Sequence, residues 1–353
     1  MTKFYIRVDA NDNIGIGHMM RCLSIAKAMR RRGVELTFFV ADKKSAAMVA
    51  EAGFGYVCLN SDYDLLDVES DKLLQIMRER CADRLLIDSY YVTETYLQKI
   101  REVAHVAYID DINKFIYPCD LLINYNIYAG ELDYEKRYRE AGLSTRFALG
   151  LSYMPLREEY RSIKPVPHER LRVLVTTGAT DERNILGHLI EKVTALHMNR
   201  DMDFLLIIGR YNHNREALLS RFGNTPGIHL IDPQNTLADL ISECDMAVTA
   251  GGTTVYELCA GGLPAVMLTL ADNQMRAAKA FEERGIIPYA GDVRKDMDGV
   301  IDRITKKLQG YRDAELRSEV SARMKEVVDG CGADRLADIL IREFEIDSER
   351  HNA

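Results

Sequence analysis

Near the amino terminus, a glycine-rich turn followed by a histidine could act on a phosphorylated substrate. The apolar residues 4–9 are followed by Gly15-Ile16-Gly17-His18 and then by a segment with helical periodicity. Glycines let the backbone turn sharply and approach a ligand, and a helix start offers unpaired N–H groups and a partial positive charge. A neutral His18 there could take a proton from water, a contribution of typically ~10²–10⁴-fold. Position alone does not separate this role from a histidine bonded to backbone in the first helical turn.

Polar residues close to this turn in the predicted sheet are further candidates. Arg21, one helical turn after His18, could contact a phosphate or pair with a surface carboxylate. Asp88 and Tyr90 follow one apolar stretch, and Asp110-Asp111 follow the next. Tyr90 is a candidate sugar contact, although polar residues at strand ends often only cap helices. The glycine spacing is not a dinucleotide fingerprint, because its third glycine would fall at Met20.

A second glycine turn, Gly251-Gly252-Thr253-Thr254, lies between a predicted strand and a predicted helix. Such a turn presents backbone N–H groups to an anion, and the threonine hydroxyls add donors, so we predict a diphosphate site. The lysine of the nucleoside-triphosphatase loop is absent. Glu257 could complete a capping box with Thr254 or accept hydrogen bonds from the two hydroxyls of a ribose, and the sequence leaves both open.

Two more turns in this half of the chain carry polar residues after apolar stretches. Asp272-Asn273-Gln274 could present amides to the ligand, or Asp272 or Asn273 could merely cap the next helix. The turn at residues 176–181, which includes Gly178, could line the same cleft or be an ordinary turn.

These turns are positioned by strand-like runs that alternate with helix-like segments along most of the chain. This alternation predicts an α/β fold with parallel sheets covered on both faces. A proline- and charge-rich stretch interrupts it, so we predict two Rossmann-like domains that face each other across a cleft. The predicted boundaries are 1–155, a linker at 156–170, and 171–353 with a helical tail. Ligands of such sheets bind at the carboxyl ends of the strands.

Composition narrows the classes of function. The chain has 353 residues, 47% of them hydrophobic and 28% charged, with a formal net charge of −8. The negative charge argues against general electrostatic binding of nucleic acid. Seven cysteines without CxxC spacing favour reduced thiols in a cytoplasmic protein. No apolar run approaches the ~18 residues of a membrane span, and a strand beginning near residue 4 leaves no room for a signal peptide.

Metal chemistry and nucleophilic catalysis have little support in the sequence. Asp-x-Asp pairs occur at residues 62–64, 201–203 and 296–298, and in an acid-rich chain we interpret them as surface carboxylates. The GxSxG and HExxH motifs are absent. We therefore expect neither a metal nor a cofactor.

The ordered set of motifs resembles a known family, the UDP-sugar hydrolases of the pseudaminic acid pathway. The resemblance covers roughly residues 4–290. Its motifs are RVDA, IGIGHMMRCLSIA, LLIDSYY, YIDD, DLLINYNIYAGELDYE, LSYMPLREEY, TGATDERN and GGTTVYEL with DNQ. Two features depart from the family: Gly178 is followed by Ala179 where a second glycine is common, and the tail after about residue 292 is long.

The resemblance implies a GT-B fold, which this family shares with the transferase that forms lipid II. It implies that His18 is the general base, with Gly17 and Arg21 in the same motif and Tyr90 and Asn273 near the sugar. It also implies that Gly252, Thr253 and Thr254 contact the pyrophosphate and that Glu257 contacts UDP. Arg157, Gly178 and Gln274 complete the candidate substrate contacts.

The expected reaction is inverting, metal-independent attack of a His18-activated water on the anomeric carbon. It would release UDP and free 2,4-diacetamido-2,4,6-trideoxy-L-altrose for pseudaminic acid biosynthesis and thus for flagellin or capsule glycosylation. A GT-B glycosyltransferase, a hydrolase of another deoxyamino sugar, and a non-catalytic nucleotide-sugar-binding protein are the alternatives. We expect a monomer whose only partner is its UDP-sugar substrate.

Overall fold

The structure, a computed structural model, describes residues 3–11, 13–233 and 236–350, with residues 345–350 described by their backbone only. It divides into two compact units. Unit 1 consists of Met1–Glu158 and Cys331–Ala353, and unit 2 of Glu159–Gly330. Each unit contains one parallel sheet with helices, as the sequence predicts.

Unit 1 is built on a seven-stranded sheet with the strand order β3-β2-β1-β4-β5-β6-β7. Its strands are β1 (Lys3–Val8), β2 (Glu35–Val40), β3 (Gly55–Cys58), β4 (Arg84–Asp88), β5 (His105–Ile109), β6 (Leu121–Asn124) and β7 (Arg146–Leu149). All neighbouring pairs are parallel. The central strands are almost wholly buried, because helices cover both faces of a parallel sheet.

The helices of unit 1 that precede the domain boundary follow these strands in sequence. They are α1 (Gly17–Arg31), α2 (Lys43–Glu51), α3 (Leu66–Arg80), α4 (Glu94–Arg101) and α5 (Tyr134–Glu140). Apolar residues of α3 and α4 pack with residues of β4 and β5 in one hydrophobic core, which includes Leu73, Leu97, Ile87 and Tyr108. This core holds the carboxyl ends of the strands in fixed positions.

Unit 2 repeats the architecture with the order β10-β9-β8-β11-β12-β13. Its strands are β8 (Leu171–Thr176), β9 (Met202–Ile207), β10 (Ile228–Ile231), β11 (Met246–Ala250), β12 (Ala265–Thr269) and β13 (Tyr289–Asp292). Its helices are α6 (Ile185–Ala195), α7 (Arg215–Phe222), α8 (Ala238–Ser242), α9 (Thr254–Gly261), α10 (Asp272–Glu283), α11 (Met297–Gly310) and α12 (Ala314–Val327). Both strand orders are those of a doubly wound nucleotide-binding sheet.

The last helix, α13 (Gly332–Arg350), packs with unit 1. The predicted boundaries placed it in the second domain, so the structure differs from the prediction here. Its buried side chains include Leu336, Leu340 and Phe344, and the Phe344 ring stacks on Phe4 of β1 with 5.7 Å between centroids. An amphipathic helix needs an apolar partner, and the sequence does not say which domain supplies it.

Charged contacts reinforce the attachment of α13. Arg31 and Arg32, which end α1, pair with Asp334 at 2.9 and 2.7 Å, and Arg32 also pairs with Asp338 at 2.6 Å.

The boundary between the first segment of unit 1 and unit 2 lies after Glu158, inside the predicted linker. Tyr160, just past the boundary, is buried, and its hydroxyl accepts a hydrogen bond from the Leu237 amide of unit 2 at 3.1 Å. In the described part of the chain, every helix is too short or too polar to span a lipid bilayer.

Candidate functional site

The candidate residues cluster where each sheet reverses its strand order. In unit 1 the reversal lies between β1 and β4, and in unit 2 it lies between β8 and β11. Doubly wound sheets bind ligands at such points, outside the carboxyl ends of the strands. The loops that follow these strands, with the helices they lead into, contain most of the candidate residues.

The turn after β1 is shaped by an asparagine. The Asn11 side-chain oxygen accepts hydrogen bonds from the amides of Asn13 and Ile14 at 2.9 and 3.0 Å, and Gly15 donates to the Asn11 carbonyl at 2.8 Å. Gly15 has a φ of +72°, which L side chains rarely adopt. Helix α1 then begins at Gly17 without a side-chain cap. The turn therefore leaves the first amides of α1 without a side-chain acceptor, which favours an anion or a polar ligand there.

His18, in the first turn of α1, is held by a carboxylate from β4. Its Nδ1 lies 2.6 Å from Oδ1 of Asp88, the last residue of that strand. His18 is 6% exposed and Asp88 is 1% exposed. We assign the Nδ1–H tautomer from this contact, so that Nε2 carries the lone pair. The backbone-bonded histidine considered above is therefore not what the structure contains.

Arg21 lies between two carboxylates. Its Nε and Nη2 donate to Asp88 at 2.6 and 2.5 Å, and its Nη1 donates to Asp111 at 2.7 Å and to the Tyr125 hydroxyl. Arg21 is 8% exposed, so these are buried charge-assisted bonds. Of the two roles considered for Arg21, the structure shows carboxylate pairing, but inside the unit instead of on its surface.

The contacts around Asp88 fix its charge. Burial alone would favour the neutral acid, but the adjacent Arg21 and His18 outweigh it and hold the pKa of Asp88 well below its usual range. Arg21 Nη2 also lies 2.9 Å from His18 Nδ1. Both nitrogens are donors in the assigned tautomer, so we interpret this as proximity caused by their common acceptor, Asp88 Oδ1.

Tyr90 covers one edge of the imidazole. Its ring lies 4.5 Å from the His18 ring at an interplanar angle of 82°, and its hydroxyl donates to Asp111 at 3.3 Å. Partial burial and the Asp111 carboxylate raise the pKa of Tyr90, so the phenol stays protonated at neutral pH. The residue is 41% exposed, which leaves part of the ring accessible to a ligand.

In unit 2, the glycine turn after β11 is formed mainly by backbone. Gly251 and Gly252 donate to the carbonyls of Leu268 and Ala250 at 2.9 and 2.8 Å. Helix α9 begins at Thr254 without a side-chain cap from Thr253. Glu257 is therefore the fourth helical residue, whereas a capping box led by Thr254 would place it third. This register does not match the capping box that the sequence left open for Glu257.

The start of α10 lies beside this turn. A Cβ on Gly251 would come within 3.2 Å of the Gln274 Cβ, so the two segments touch. Gln274 Oε1 accepts from the Leu270 amide at 2.8 Å and Asp272 pairs with Arg294 at 2.6 Å, while Asn273 is exposed. The side chain of Gln274 thus supports the backbone, and neither Asp272 nor Asn273 caps α10.

The turn after β8 differs from the other two. The Asp181 carboxylate accepts from the amides of Ile185 and Leu186 at 2.8 and 3.1 Å and so occupies the start of α6. Gly178 has a φ of +91°, and a Cβ on Gly209 would lie 2.4 Å from the Gly178 carbonyl oxygen. Because a carboxylate already fills this helix start, the turn is less suited to a phosphate than the turn at Gly252.

The predicted residues are thus distributed over both units. Gly17, His18, Arg21 and Tyr90 come together in unit 1, whereas Arg157 is a half-buried residue at the end of that unit's first segment. The remaining predicted contacts lie in unit 2, at Gly178, Gly252, Thr253, Thr254, Glu257, Asn273 and Gln274. Across the described ranges, no group of three or more His, Cys, Asp or Glu residues is arranged to hold a metal ion.

Three residues of the His18 cluster had no assigned role before the structure. Asp88 and Asp111 were noted only as polar residues at strand ends, and Tyr125 was not considered. Their common signal is position, since Asp88 ends β4, Asp111 follows β5 and Tyr125 follows β6.

Comparisons with known proteins agree with this fold. Residues 172–328 match the family model of the glycosyltransferase family 28 C-terminal domain. The crystal structure of Acinetobacter baumannii MurG superposes with a TM-score of 0.71 at 12% identity, and the match covers 97% of this chain and 100% of that one. The GT-B fold class predicted from the sequence is confirmed.

Three curated relatives are similar in sequence. The Bacillus subtilis spore coat polysaccharide biosynthesis protein SpsG is 24% identical, over 95% of this chain and 96% of its own length. The UDP-2,4-diacetamido-2,4,6-trideoxy-β-L-altropyranose hydrolase of Campylobacter jejuni is 26% identical, over 72% of this chain and 87% of its own length. A Helicobacter pylori protein named as a pseudaminic acid cytidylyltransferase and the same hydrolase is 24% identical, over 77% of this chain.

The matches differ in how much of each relative they cover. The matching stretch spans only 55% and 45% of two curated relatives, one of which is the Helicobacter protein. Two relatives nevertheless carry the name of the hydrolase that the motifs suggested, so the family resemblance is confirmed.

Proposed function

We propose that this protein hydrolyses a UDP-linked diacetamido-trideoxy sugar at its anomeric carbon, with His18 as the general base. The observation that carries the proposal is the 2.6 Å contact between His18 Nδ1 and Asp88 at the uncapped start of α1. A carboxylate that accepts from Nδ1–H leaves Nε2 as the proton acceptor, the arrangement used by histidine bases in hydrolytic enzymes.

The chemical step needs one base and no acid. Nε2 of His18 takes a proton from water while the water oxygen forms a bond to C1 of the sugar. The bond between C1 and the diphosphate oxygen breaks, and its electron pair leaves with UDP. Glycosidases pair an acid with a base because an alcohol is a poor leaving group, but a diphosphate leaves as a stable anion. Attack opposite the leaving group inverts the anomeric configuration.

The negative charge of Asp88 supports this role. His18 becomes cationic as the water is deprotonated, and an adjacent buried carboxylate stabilises that cation. Asp88 is itself ionised at neutral pH, because Arg21 and His18 hold its pKa low.

Unit 2 is proposed to bind the UDP moiety. The uncapped start of α9 offers N–H groups to the pyrophosphate, and the hydroxyls of Thr253 and Thr254 add donors. Glu257, whose register does not fit a capping box, is proposed to accept from the ribose hydroxyls. Gly17, Tyr90, Asn273 and the remaining predicted contacts, Arg157, Gly178 and Gln274, would orient the sugar and phosphates. The same proposal takes the reaction as metal-independent.

Phosphorus and proton NMR of the protein with a panel of UDP-diacetamido sugars tests the reaction. We expect UDP and a free reducing sugar from one member of the panel, with no other reactant added. The result that contradicts hydrolysis is an unchanged UDP-sugar for every member over hours at micromolar protein.

A glycosyltransferase on the same scaffold is the second candidate. It is favoured by the family 28 match over residues 172–328. The same NMR experiment separates the two, because a transferase would release UDP only when an acceptor is supplied. SpsG, a relative over nearly the whole chain, is named for spore coat polysaccharide biosynthesis, so the panel should include sugars beyond the altrose derivative.

We further propose that the protein acts as a cytoplasmic monomer that supplies free sugar for pseudaminic acid biosynthesis. The sugar would finally serve flagellin or capsule glycosylation. Size-exclusion chromatography with light scattering tests the oligomeric state, and a mass near twice 40.1 kDa would contradict it.

A further inference from the structure

Asp88 serves two donors of different kinds. It accepts from Nδ1 of His18, a group that gains charge in the proposed reaction, and from Nε and Nη2 of Arg21, which is always charged. A permanent cation on the same carboxylate offsets much of the attraction that Asp88 exerts on a protonated imidazole. Without a further carboxylate, Asp88, Arg21 and a protonated His18 would together carry one net positive charge.

The Asp111 carboxylate supplies the negative charge that balances the positive charge of Arg21. Its carboxylate accepts from Nη1 of Arg21 at 2.7 Å, on the opposite side of the guanidinium from Asp88. With His18 neutral, Arg21 and the two carboxylates carry one net negative charge. When His18 takes up a proton, the four groups together become neutral.

The burial of these four side chains strengthens the electrostatic interactions among them. The side chains of His18, Arg21, Asp88 and Asp111 are 6, 9, 0 and 14% exposed, so water screens their interactions only weakly. A protonated His18 in a neutral cluster is far less costly than one in a cluster with a net positive charge.

We propose that Asp111 is a positioning residue that, through Arg21, sets the proton affinity of His18. This inference rests on the proposed role of His18 as the base and adds a residue that need not touch the substrate. It predicts that charge changes at Asp111 and Arg21 move the titration of His18 in opposite directions.

The other polar groups facing the cluster leave this balance unchanged. Tyr90, after β4, and Tyr125, after β6, place neutral hydroxyls on Asp111 and Arg21 respectively, and Cys22 of α1 places its thiol 3.5 Å from Asp88. Burial, with Asp88 next in importance, raises the pKa of Cys22, so its thiol stays neutral. Asp110 faces away into other partners, since it accepts from Tyr134 and from the amides of Ile112 and Asn113.

The test is a pH titration of the His18 ring by carbon-13 NMR in the full-length protein without substrate. The signal is assigned from its absence in His18→Asn. For Asp111→Asn we expect the titration midpoint to fall by about one pH unit, the low end of what a neighbouring charge produces. For Arg21→Gln we expect a rise of similar size, and for the double variant a midpoint close to that of the wild type.

Tyr125→Phe is the matched control, because it removes a neutral contact to the same Arg21 nitrogen. It should leave the midpoint unchanged. Circular dichroism of each variant checks folding. If Asp111→Asn does not fold, the rise expected for Arg21→Gln still tests the proposal, because a purely structural clamp predicts no shift in that direction.

Activity gives a second readout. The acid limb of the pH profile of kcat/KM should move with the NMR midpoint in each variant. In Asp111→Asn the plateau kcat should fall by roughly tenfold, less than the roughly 10²–10⁴-fold that a whole general base contributes.

An unchanged or raised midpoint in Asp111→Asn, or an unchanged or lowered one in Arg21→Gln, overturns the inference. Because the titration needs no substrate, it decides this point even if the protein hydrolyses no UDP-sugar. Conversely, if hydrolysis depends on His18 while the titration midpoints of the variants stay unchanged, that result contradicts this inference and leaves the proposed function intact.

Discussion

The candidate sites of the two units occupy equivalent positions in their sheets but are built from different material. In unit 1, polar side chains with little exposed surface come together near the turn after β1 from three separate segments, namely His18 and Arg21 of α1, Asp88 of β4 and Asp111 after β5. In unit 2, the turn after β11 consists of glycines and threonines, and its hydrogen bonds are formed by backbone groups.

Under the proposed function, this difference corresponds to a catalytic role for unit 1 and a nucleotide-binding role for unit 2. Buried side-chain networks can fix a tautomer and supply charge, which a proton-transfer step requires. An uncapped helix start with small residues can accept a diphosphate without moving a proton. The doubly wound sheet thus provides the same location twice, and the residues placed there decide between catalysis and binding.

The largest expected effect comes from removing the base. His18→Asn should lower kcat by about 10²–10⁴-fold, because the water then loses its proton acceptor. The affinity for UDP should stay near that of the wild type, since the proposed nucleotide contacts lie in unit 2. Steady-state kinetics and calorimetric titration with UDP measure the two quantities.

His229→Asn is the control for this experiment, because it changes an exposed histidine on β10. It should retain full activity. Wild-type kcat in His18→Asn would remove the distinction between a catalytic and a binding unit.

The next largest effect is expected when the partner of the base is changed. Asp88→Asn keeps the shape of the side chain but removes the negative charge and replaces one of the two acceptor oxygens by an NH2 donor, so the His18 tautomer is no longer fixed. We expect kcat to fall by about 10²-fold with a much smaller change in KM. Equal losses in UDP affinity and kcat would mean that Asp88 matters only for the fold.

A smaller effect is expected in the binding turn of unit 2. A Cβ on Gly252 would meet nothing within 4 Å, so Gly252→Ala should fold normally. The added methyl group would keep a diphosphate from approaching the backbone, and we expect UDP to bind about tenfold more weakly. The substitution should raise KM and change kcat only slightly.

Gly310→Ala, at the end of α11, is the matched control for Gly252→Ala, because a Cβ at Gly310 would also meet nothing within 4 Å. It should leave UDP binding unchanged. If Gly252→Ala binds UDP as tightly as the wild type does, the nucleotide is bound elsewhere.

The smallest effect is the pH dependence of stability that Asp88 contributes to unit 1. The pKa of Asp88 is lower in the folded protein than in the unfolded chain, because Arg21 and His18 outweigh its burial. Asp88 therefore stabilises the fold above its unfolded pKa of about 4, and this contribution is lost as the pH falls below that value.

Urea denaturation at pH 6 and at pH 3 measures this contribution of Asp88 to the free energy of unfolding. The stability difference between the wild type and Asp88→Asn should be smaller at pH 3. A difference that grows on acidification would show that the ion pair is not formed as described. Thr253→Ser, in a turn without titratable side chains at residues 251–254, should show no such pH-dependent difference from the wild type.

The sequence predicted the elements that carry the glycine turns, but three edge strands leave no continuous apolar run in it. Segments 4–9, 84–88 and 245–249 are apolar because their strands are central and buried on both faces. The edge strands β3, β7 and β13 are the last strands of their sheets and are partly exposed. An edge strand buries too little surface to leave a continuous apolar run.

The sequence predicts only those parts of the candidate site whose residues are adjacent in the chain. A glycine turn before a helix is visible in adjacent residues, so the turn at Gly252 could be inferred directly. Asp88, the partner of His18, is 70 residues away from it, and Asp111 is 90 residues away from its partner Arg21. Only the sheet order brings these residues together. The packing of α13 onto unit 1 likewise depends on which apolar surface is left uncovered.

The most direct test of the central claim is to run the reaction in water enriched in oxygen-18 and to follow it by phosphorus and proton NMR. If water activated by His18 attacks the anomeric carbon, the released UDP carries no label, and the first sugar signal has the anomeric configuration opposite to that of the substrate. An isotope shift on the terminal phosphate of UDP would show that water attacks phosphorus, and it would contradict the account.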